Sequence, residues 1–223
     1  MVAKNANVYA AEPLATGTCF VAELGTTALT KTDFTSGTAL SDTDWTDLGH
    51  IGEDGYTETK DVNLEDKRNF GGRVVKVLQT EVTWTYKFVF LESVNSDVLK
   101  AVYGENNVDV TPAAGENGAI IEVRKTALKL PHQMWCIDTV DSDQGARYRA
   151  FLPDAQIVEI GDVVLVHSDT VMYEVTLRAF EDANGVSIYT WIDDGTGTKT
   201  YASGAAAQVA NLGVPADSGT EGE

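Results

Sequence analysis

The stretch RVVKVLQTEVTWTYKFVFL, residues 73–91, decides the fold class. Its β-branched and aromatic residues form pleated structure readily, and no Gly or Pro interrupts it. In its second half Val82, Trp84, Tyr86, Phe88 and Phe90 alternate with Glu81, Thr83, Thr85 and Lys87. A period of two means a strand with one apolar and one polar face. At about 3.3 Å per residue it is on the order of 60 Å long, more than one small sandwich needs.

Working outward, a second clean alternation runs through Val171, Tyr173, Val175, Leu177 and Ala179 against Glu174, Thr176 and Arg178. It ends at the turn signal Asn184-Gly185, after which Val186 to Ile192 is expected to return as its hairpin partner. Shorter strands are expected at Thr18–Leu24, Asp47–Gly52, Gly55–Lys60, Ile120–Arg124, Met134–Val140, Ala146–Leu152 and Val163–His167. Turn residues separate them at Glu53 to Gly55, Asp141 to Gly145 and Pro153-Asp154. The apolar phase changes between Ile121/Val123 and Leu128/Leu130, which predicts a bulge or strand break near Thr126. Many short strands with polar turns specify a sandwich or barrel.

One helix interrupts this pattern. Ser93 or Asn95 caps a stretch in which Val94, Val98, Leu99 and Val102 fall at helical spacing, and Gly104 stands at the stop position. Between Asp61 and Gly72 lies a charged segment, with Asp61, Glu65, Asp66, Lys67 and Arg68 followed by Asn69, Phe70, Gly71 and Gly72. It reads as a loop longer than a hairpin turn requires, and long loops usually carry function. Residues 1–17 and 195–223 are rich in Ala, Gly, Thr and Ser and read as an N-terminal arm and a flexible C-terminal tail around a β-rich domain over residues 18–194. At 223 residues, one substantial core is expected.

Charge is the most unusual bulk property. Thirty-four acidic residues against 16 basic ones give a net charge of −18. Such a surface repels a nucleic acid backbone. No apolar run approaches the roughly 20 residues that span a bilayer, and residues 1–11 lack a secretory core, so a soluble product of the cytosol is expected. Cys19 and Cys136 stand far apart in sequence without framework spacing and read as reduced thiols.

Signatures of catalysis fail one by one. The stretch Gly195 to Thr200 superficially resembles a phosphate loop, but Thr198 precedes Lys199 and Ile192 holds the upstream glycine position. Asp138, Asp141 and Asp143 before Gly145 hint at a calcium loop, yet Leu152 stands where a closing Glu is needed. His167, Ser168 and Asp169 are adjacent on one extended segment and cannot converge as a triad. His50 and His132 lack metal-ligand spacing. The aromatic stripe Trp84, Tyr86, Phe88 and Phe90 lacks the basic flanks of a base-stacking platform and reads as core. No catalytic residue, cofactor or metal site is therefore assigned.

The run Asp44 to Gly55 (DWTDLGHIGEDG), Gly71-Gly72 with the long strand through Lys87 to Glu92, and Val98 to Gly104 (VLKAVYG) carry a resemblance. So do Pro153 to Gln156, Glu159 to Val163 and Tyr173 to Thr176. Over roughly Trp45 to Ile192 the chain resembles the major tail tube proteins of long-tailed, siphovirus-type bacteriophages infecting actinobacteria. The resemblance implies a mainly β fold, a tail-tube-type β-sandwich or half-barrel with one flanking α-helix and extended terminal arms. It further implies a non-enzymatic virion protein assembled in the host cytoplasm as stacked hexameric rings, in which sheets of neighbouring subunits join around a lumen. Its expected partners are further copies of itself, the tape measure protein, the tail terminator and distal tail proteins, and DNA that passes without specific binding; no membrane is involved. In that setting Glu81, Thr83 and Thr85 are candidates for the lumen face, where acidic charge keeps DNA from sticking. The segment Asp61 to Gly72, with Asp61, Glu65, Asp66, Lys67, Arg68 and Phe70, is the candidate contact to the adjacent ring. A carbohydrate-binding or adhesive sandwich is the alternative, for which Trp45, Tyr56 and Trp191 would have to cluster on the surface. A small hydrolase would need a pocket joining His50 or His132 to a carboxylate.

Overall fold

The computed structural model describes residues 8–14, 17–35, 40 and 44–197. Most of the expected C-terminal tail, the Thr198-Lys199-Thr200 stretch and part of the N-terminal arm lie outside the described residues. In chain order the elements are β1 (Glu12–Pro13), β2 (Cys19–Glu23), α1 (Lys31–Thr35), β3 (Thr46–Asp47), β4 (Thr57–Arg68), β5 (Val74–Phe90), α2 (Ser96–Tyr103), β6 (Val108–Thr111), β7 (Ile120–Val123), β8 (Gln133–Asp141), β9 (Ala146–Ile160), β10 (Tyr173–Ala179) and β11 (Tyr189–Asp193). The protein is mainly β, as its alternating strands require, with α2 on the sheet and α1 as an additional five-residue helix.

Nine strands form one antiparallel sheet along the path β3-β2-β8-β9-β10-β5-β4. The central pair β8–β9 is flanked twice on each side. Strands β1 and β2 lie end to end along β8, and β11 and β10 lie end to end along β9. Nearly every residue of β8 is buried, because both of its faces are covered. One face meets the main core, where Trp135, Ile137, Leu152 and Leu177 pack with the stripe Tyr86, Phe88 and Phe90 and with Val98, Leu99 and Val102 of α2. The other meets a smaller core of Ala22, Trp45, Met134, Cys136 and Phe151. Cys19 belongs to the first core and Cys136 to the second, and both are buried free thiols whose pKa values burial pushes up.

Helix α2 follows its sequence signals except at Val94, which precedes the cap and is exposed instead of joining the apolar stripe. Asn95 is the N-cap and accepts from the Asp97 N–H at 2.9 Å, and Gly104 ends the helix with φ 90°, a left-handed backbone that suits glycine. The four apolar side chains on its inner stripe are buried against the aromatic face of β5. The expected strand break near Thr126 also occurs: β7 stops at Val123 and β8 starts at Gln133.

Five expectations require correction. Asp61 to Arg68 is not a loop: the strand expected at Gly55–Lys60 runs on to Arg68 and pairs with β5 almost to the turn. Its polar residues carry no apolar alternation because neither face of this stretch meets a core. Pro153-Asp154 is not a turn either, and β9 continues through it to Ile160. Pro153 falls in the gap between β11, which stops pairing at Phe151, and β10, which starts at Ala155, and opposite a register shift with β8. A missing N–H costs nothing there. Val163–His167 forms no strand, and Val164, Leu165 and Val166 are exposed. Asp47–Gly52 contributes only the two-residue β3 and a single bridge from Ile51 to Phe90. Finally β11 pairs with β9, not with β10.

The turn ahead of β11 nevertheless forms as its residues dictate. Asp182 accepts from the Val186 N–H at 3.0 Å, the Tyr189 hydroxyl at 2.8 Å and the Asn184 N–H at 2.8 Å, which together hold its carboxyl down at about 2. A folded-state pKa below the unfolded one stabilises the fold fully above the ordinary carboxylate range, and that contribution disappears as pH falls through about 2. A carbon-detected NMR titration is expected to find the Asp182 midpoint near that value. A midpoint in the ordinary carboxylate range would mean that the turn's hydrogen bonds are not formed in solution.

Candidate assembly surface

Strand β5 has two halves with different surroundings. Trp84 to Lys87 is held between β4 and β10, and Phe88 to Phe90 pairs with β10, whereas Val74 to Thr83 pairs with β4 alone. The outer half and its partner residues therefore leave the body as a two-stranded arm about 33 Å long. Every residue of β4 is exposed, and among the exposed apolar side chains of the arm are Leu64, Val75 and Val77. Isolated two-stranded ribbons are marginal in water. This one is braced by cross-strand polar contacts, such as Asn63 Nδ2 donating to Glu81 Oε2 at 3.3 Å and Thr80 Oγ1 donating to the Asn63 carbonyl at 3.1 Å.

The arm's tip is a built turn. Gly72, at φ 80°, donates to the Asn69 carbonyl at 2.9 Å, and Arg73 N–H donates to Asn69 Oδ1 at 3.0 Å. The Arg68 guanidinium reaches across to the Gly72 carbonyl at 3.2 Å and to Asp66 at 3.1 Å, and Lys67 pairs with Glu65. Phe70 projects from this turn with 112% relative exposure. Of the segment singled out in the sequence, Asp61 pairs opposite Thr83 at the arm's base, and Glu65, Asp66, Lys67, Arg68 and Phe70 occupy its outer end.

Glu81, Thr83 and Thr85 alternate with the core-facing residues of β5 and so lie on the face away from the core. There Arg178 Nη2 donates to Glu81 Oε1 at 3.0 Å and to Thr83 Oγ1 at 3.3 Å, and Lys87 pairs with Glu174 at 2.9 Å. This polar face has two ends without a strand partner among the described residues. One is the outer edge of β4; the other is β9 beyond Ala155 on the side where β8 has stopped pairing.

A cleft of about 960 Å³ opens at the base of the arm, between Tyr9 to Leu14 with Gly17 and Thr18, the turn from Asp47 to Tyr56, and residues of β5, β8 and β9. Among the described residues its lining contains the carboxylates Asp47, Glu53, Glu58 and Glu92 and no Lys or Arg. Four tyrosines share it. Tyr86 donates its hydroxyl to Glu58, Tyr56 meets Thr18 Oγ1 at 2.7 Å, and Tyr9 meets Thr139 Oγ1 at 2.8 Å. Burial, above all, raises the phenol pKa values of Tyr9, Tyr56 and Tyr86, that of Tyr9 to about 12, so these three hydroxyls stay protonated at neutral pH. Glu92 is held by the His50 N–H at 2.9 Å and by Asn95 Nδ2 at 2.8 Å, which lowers its pKa. Sequence reading missed this cleft because its walls come from segments distant in the chain.

The residues weighed for chemistry are dispersed. His132 Nδ1 sits 2.6 Å from Asp154 Oδ1, but as a pair under Phe180, with no nucleophile in contact. His50 does line the cleft together with four carboxylates, but it meets Glu92 through its backbone N–H, and among the described residues its exposed ring makes no hydrogen bond to a carboxylate or a nucleophile. Asp141 is spent on its own turn, accepting from Asp143 and Gln144, and Asp138 is buried against Arg149. The aromatics required by an adhesive surface do not cluster outside either. Trp45 is 5% exposed and packs on Phe151, and Trp191 stacks on Phe151 and Tyr189.

No curated protein matches the chain. Among solved structures, it is similar to the tube-terminating cap of the anti-feeding prophage at 8% identity, covering 86% of this chain and 100% of that one with a TM-score of 0.38. It is also similar to the sheath/tube terminator of an extracellular contractile injection system at 8% identity, covering 77% and 92% of the two chains with a TM-score of 0.35. Neither likeness is strong enough to bear on this chain's role. The match that does bear on it extends over residues 2–204, far more than the arm or the cleft alone, and takes in both cores and the polar sheet face. On that match the chain belongs to the phage tail tube protein family.

Proposed function

We propose that this protein is the ring-forming subunit of a long-tailed, siphovirus-type phage tail tube, assembled in the cytoplasm of an actinobacterial host, with its polar β4–β5–β10 face turned to the lumen. The observation that carries this reading is the arm: a ribbon about 33 Å long that packs on no core of its own subunit while exposing apolar side chains. Such a ribbon is stabilised only when another copy covers it. Hexameric rings form when the free edge of β4 meets the unpaired end of β9 in the next copy, a head-to-tail contact that closes on itself. Joining these edges satisfies backbone groups that would otherwise invite uncontrolled pairing.

In the ring, Glu81, Thr83 and Thr85 face the channel. The Glu81–Arg178 and Lys87–Glu174 pairs neutralise part of that face, and the overall charge of −18 per subunit leaves it without attraction for DNA. The outer arm, from Asp61 through Glu65, Asp66, Lys67, Arg68 and Phe70, contacts the adjacent ring. The tape measure protein then occupies the channel, and terminator and distal tail proteins cover the two ends of the tube.

Electron microscopy of the purified protein across a concentration series tests this. Rings and tubes with a central channel are expected, and Thr85→Cys labelled with a gold maleimide is expected to place density inside the channel. A persistent monomer at every concentration, or label on the outer wall, would overturn the corresponding part of the reading.

A further inference from the structure

We infer that the Phe70 tip of one copy inserts into the acidic, tyrosine-lined cleft of a second copy in the neighbouring ring. The inference rests on the ring-stacking reading and assigns the receptor that this reading leaves open. The two surfaces match in three respects. The first is charge. From Glu65 to Lys76 the arm carries Lys67, Arg68, Arg73 and Lys76 against Glu65 and Asp66, which makes its end basic in a chain of net charge −18. Among the described residues the cleft presents Asp47, Glu53, Glu58 and Glu92 with no Lys or Arg. Guanidinium groups bind carboxylates by paired, charge-assisted hydrogen bonds, and opposite potentials also guide approach and register.

The second is surface chemistry. Phe70 stands fully in solvent at the apex of a turn whose hydrogen bonds fix its shape, so little conformational freedom remains to be lost on docking. The cleft is lined by the partly exposed Tyr9, Tyr56 and Tyr148, and aromatic pairs favour edge or offset contacts. At about 960 Å³ it admits the whole turn and not only a phenyl ring.

The third is geometry. The cleft lies beside Glu58 and Tyr86, which pair with each other at the arm's base, while the tip begins at Arg68. Ten residues of paired strand, about 33 Å, separate them, so a tip cannot enter the cleft of its own chain without unzipping the ladder. The contact must be made head to tail with another copy, and repetition of such a contact builds an open stack. It also limits the axial repeat to about 40 Å, the reach of the arm with its terminal side chain.

Disulfide trapping in assembled tubes tests the inference. Phe70→Cys and His50→Cys are combined in one chain; the native Cys19 and Cys136 are fully buried and do not compete. Under copper–phenanthroline oxidation the double variant is expected to give a ladder of cross-linked multimers, and either single variant none. Because Phe70→Cys itself weakens the contact, a second chain carries the photo-reactive p-benzoylphenylalanine at position 70. Its cross-link is expected to map to the peptides lining the cleft, principally residues 47–58. Tubes that form without the ladder, with the photo-cross-link mapping outside the residues that line the cleft, would overturn the receptor assignment and leave ring stacking intact. Failure of the unmodified protein to form tubes would overturn the stacking reading and this inference with it.

Discussion

A chain in which residues 63–81 are replaced by Asn-Gly is expected to fold normally and to form no tubes. Val62 and Val82 are cross-strand partners, so a two-residue turn of this composition closes the shortened hairpin without disturbing the strands below it. None of the removed side chains belongs to either core. The ion pair lost between Glu81 and Arg178 is exposed, and exposed pairs contribute little. Thermal unfolding by circular dichroism is therefore expected to shift by only a few degrees. Assembly is expected to fail at every concentration that gives tubes of the intact protein, because the exposed apolar residues and the charged tip are gone together. Tubes from the shortened chain would remove the arm from ring stacking; an unfolded product would show that the arm supports the body after all.

The largest expected loss of stability lies elsewhere, at Asp138. This carboxylate is 4% exposed and accepts from Arg149, itself 1% exposed, through both Nε at 3.1 Å and Nη2, with Arg147 Nη2 at 3.5 Å. Burial alone would push the Arg149 guanidinium down, but the carboxylate beside it more than offsets this and keeps its pKa raised. The pair is not fully satisfied by the described residues, among which Asp138 Oδ1 and Arg149 Nη1 have no hydrogen-bond partner. Asp138→Ala strands a buried cation and is expected to cost about 3–5 kcal/mol. Replacing both partners with apolar residues, as in Asp138→Leu with Arg149→Met, is expected to recover most of that loss, because it removes the desolvated charges together. Urea unfolding followed by tryptophan fluorescence measures both. A loss below about 1 kcal/mol for the single variant would mean that water reaches the pair.

The two strongest sequence signals survive in the structure for local reasons. The alternation from Val82 to Phe90 puts one set of side chains on one face whatever lies beyond it, and from Trp84 onward that set is the core wall. Asn95 and Gly104 act within one turn of the helix they bound, so α2 starts and stops where they stand. The Asp138–Arg149 pair was also within reach of the sequence: a hairpin closing at Asp141 to Gly145 sets these two residues opposite each other, as they are found.

What the sequence by itself determined, then, was the mainly β class, the long strand, the capped helix, the turns at Asp141 to Gly145 and Asp182 to Gly185, and the acidic balance, all of which depend on neighbours a few residues apart or on composition. Only the tertiary structure decided which strands pair across long separations, that β9 passes through Pro153 because two partners end there, and that β11 joins β9. It also decided that Asp61 to Arg68 is half of an arm and that carboxylates from residues 47 to 92 meet tyrosines from residues 9 to 148 in one cleft. The physical reason is the same in each case. A strand's pattern records which of its faces is buried, but not what buries it, and a strand with no burying layer in its own subunit leaves no periodic trace at all.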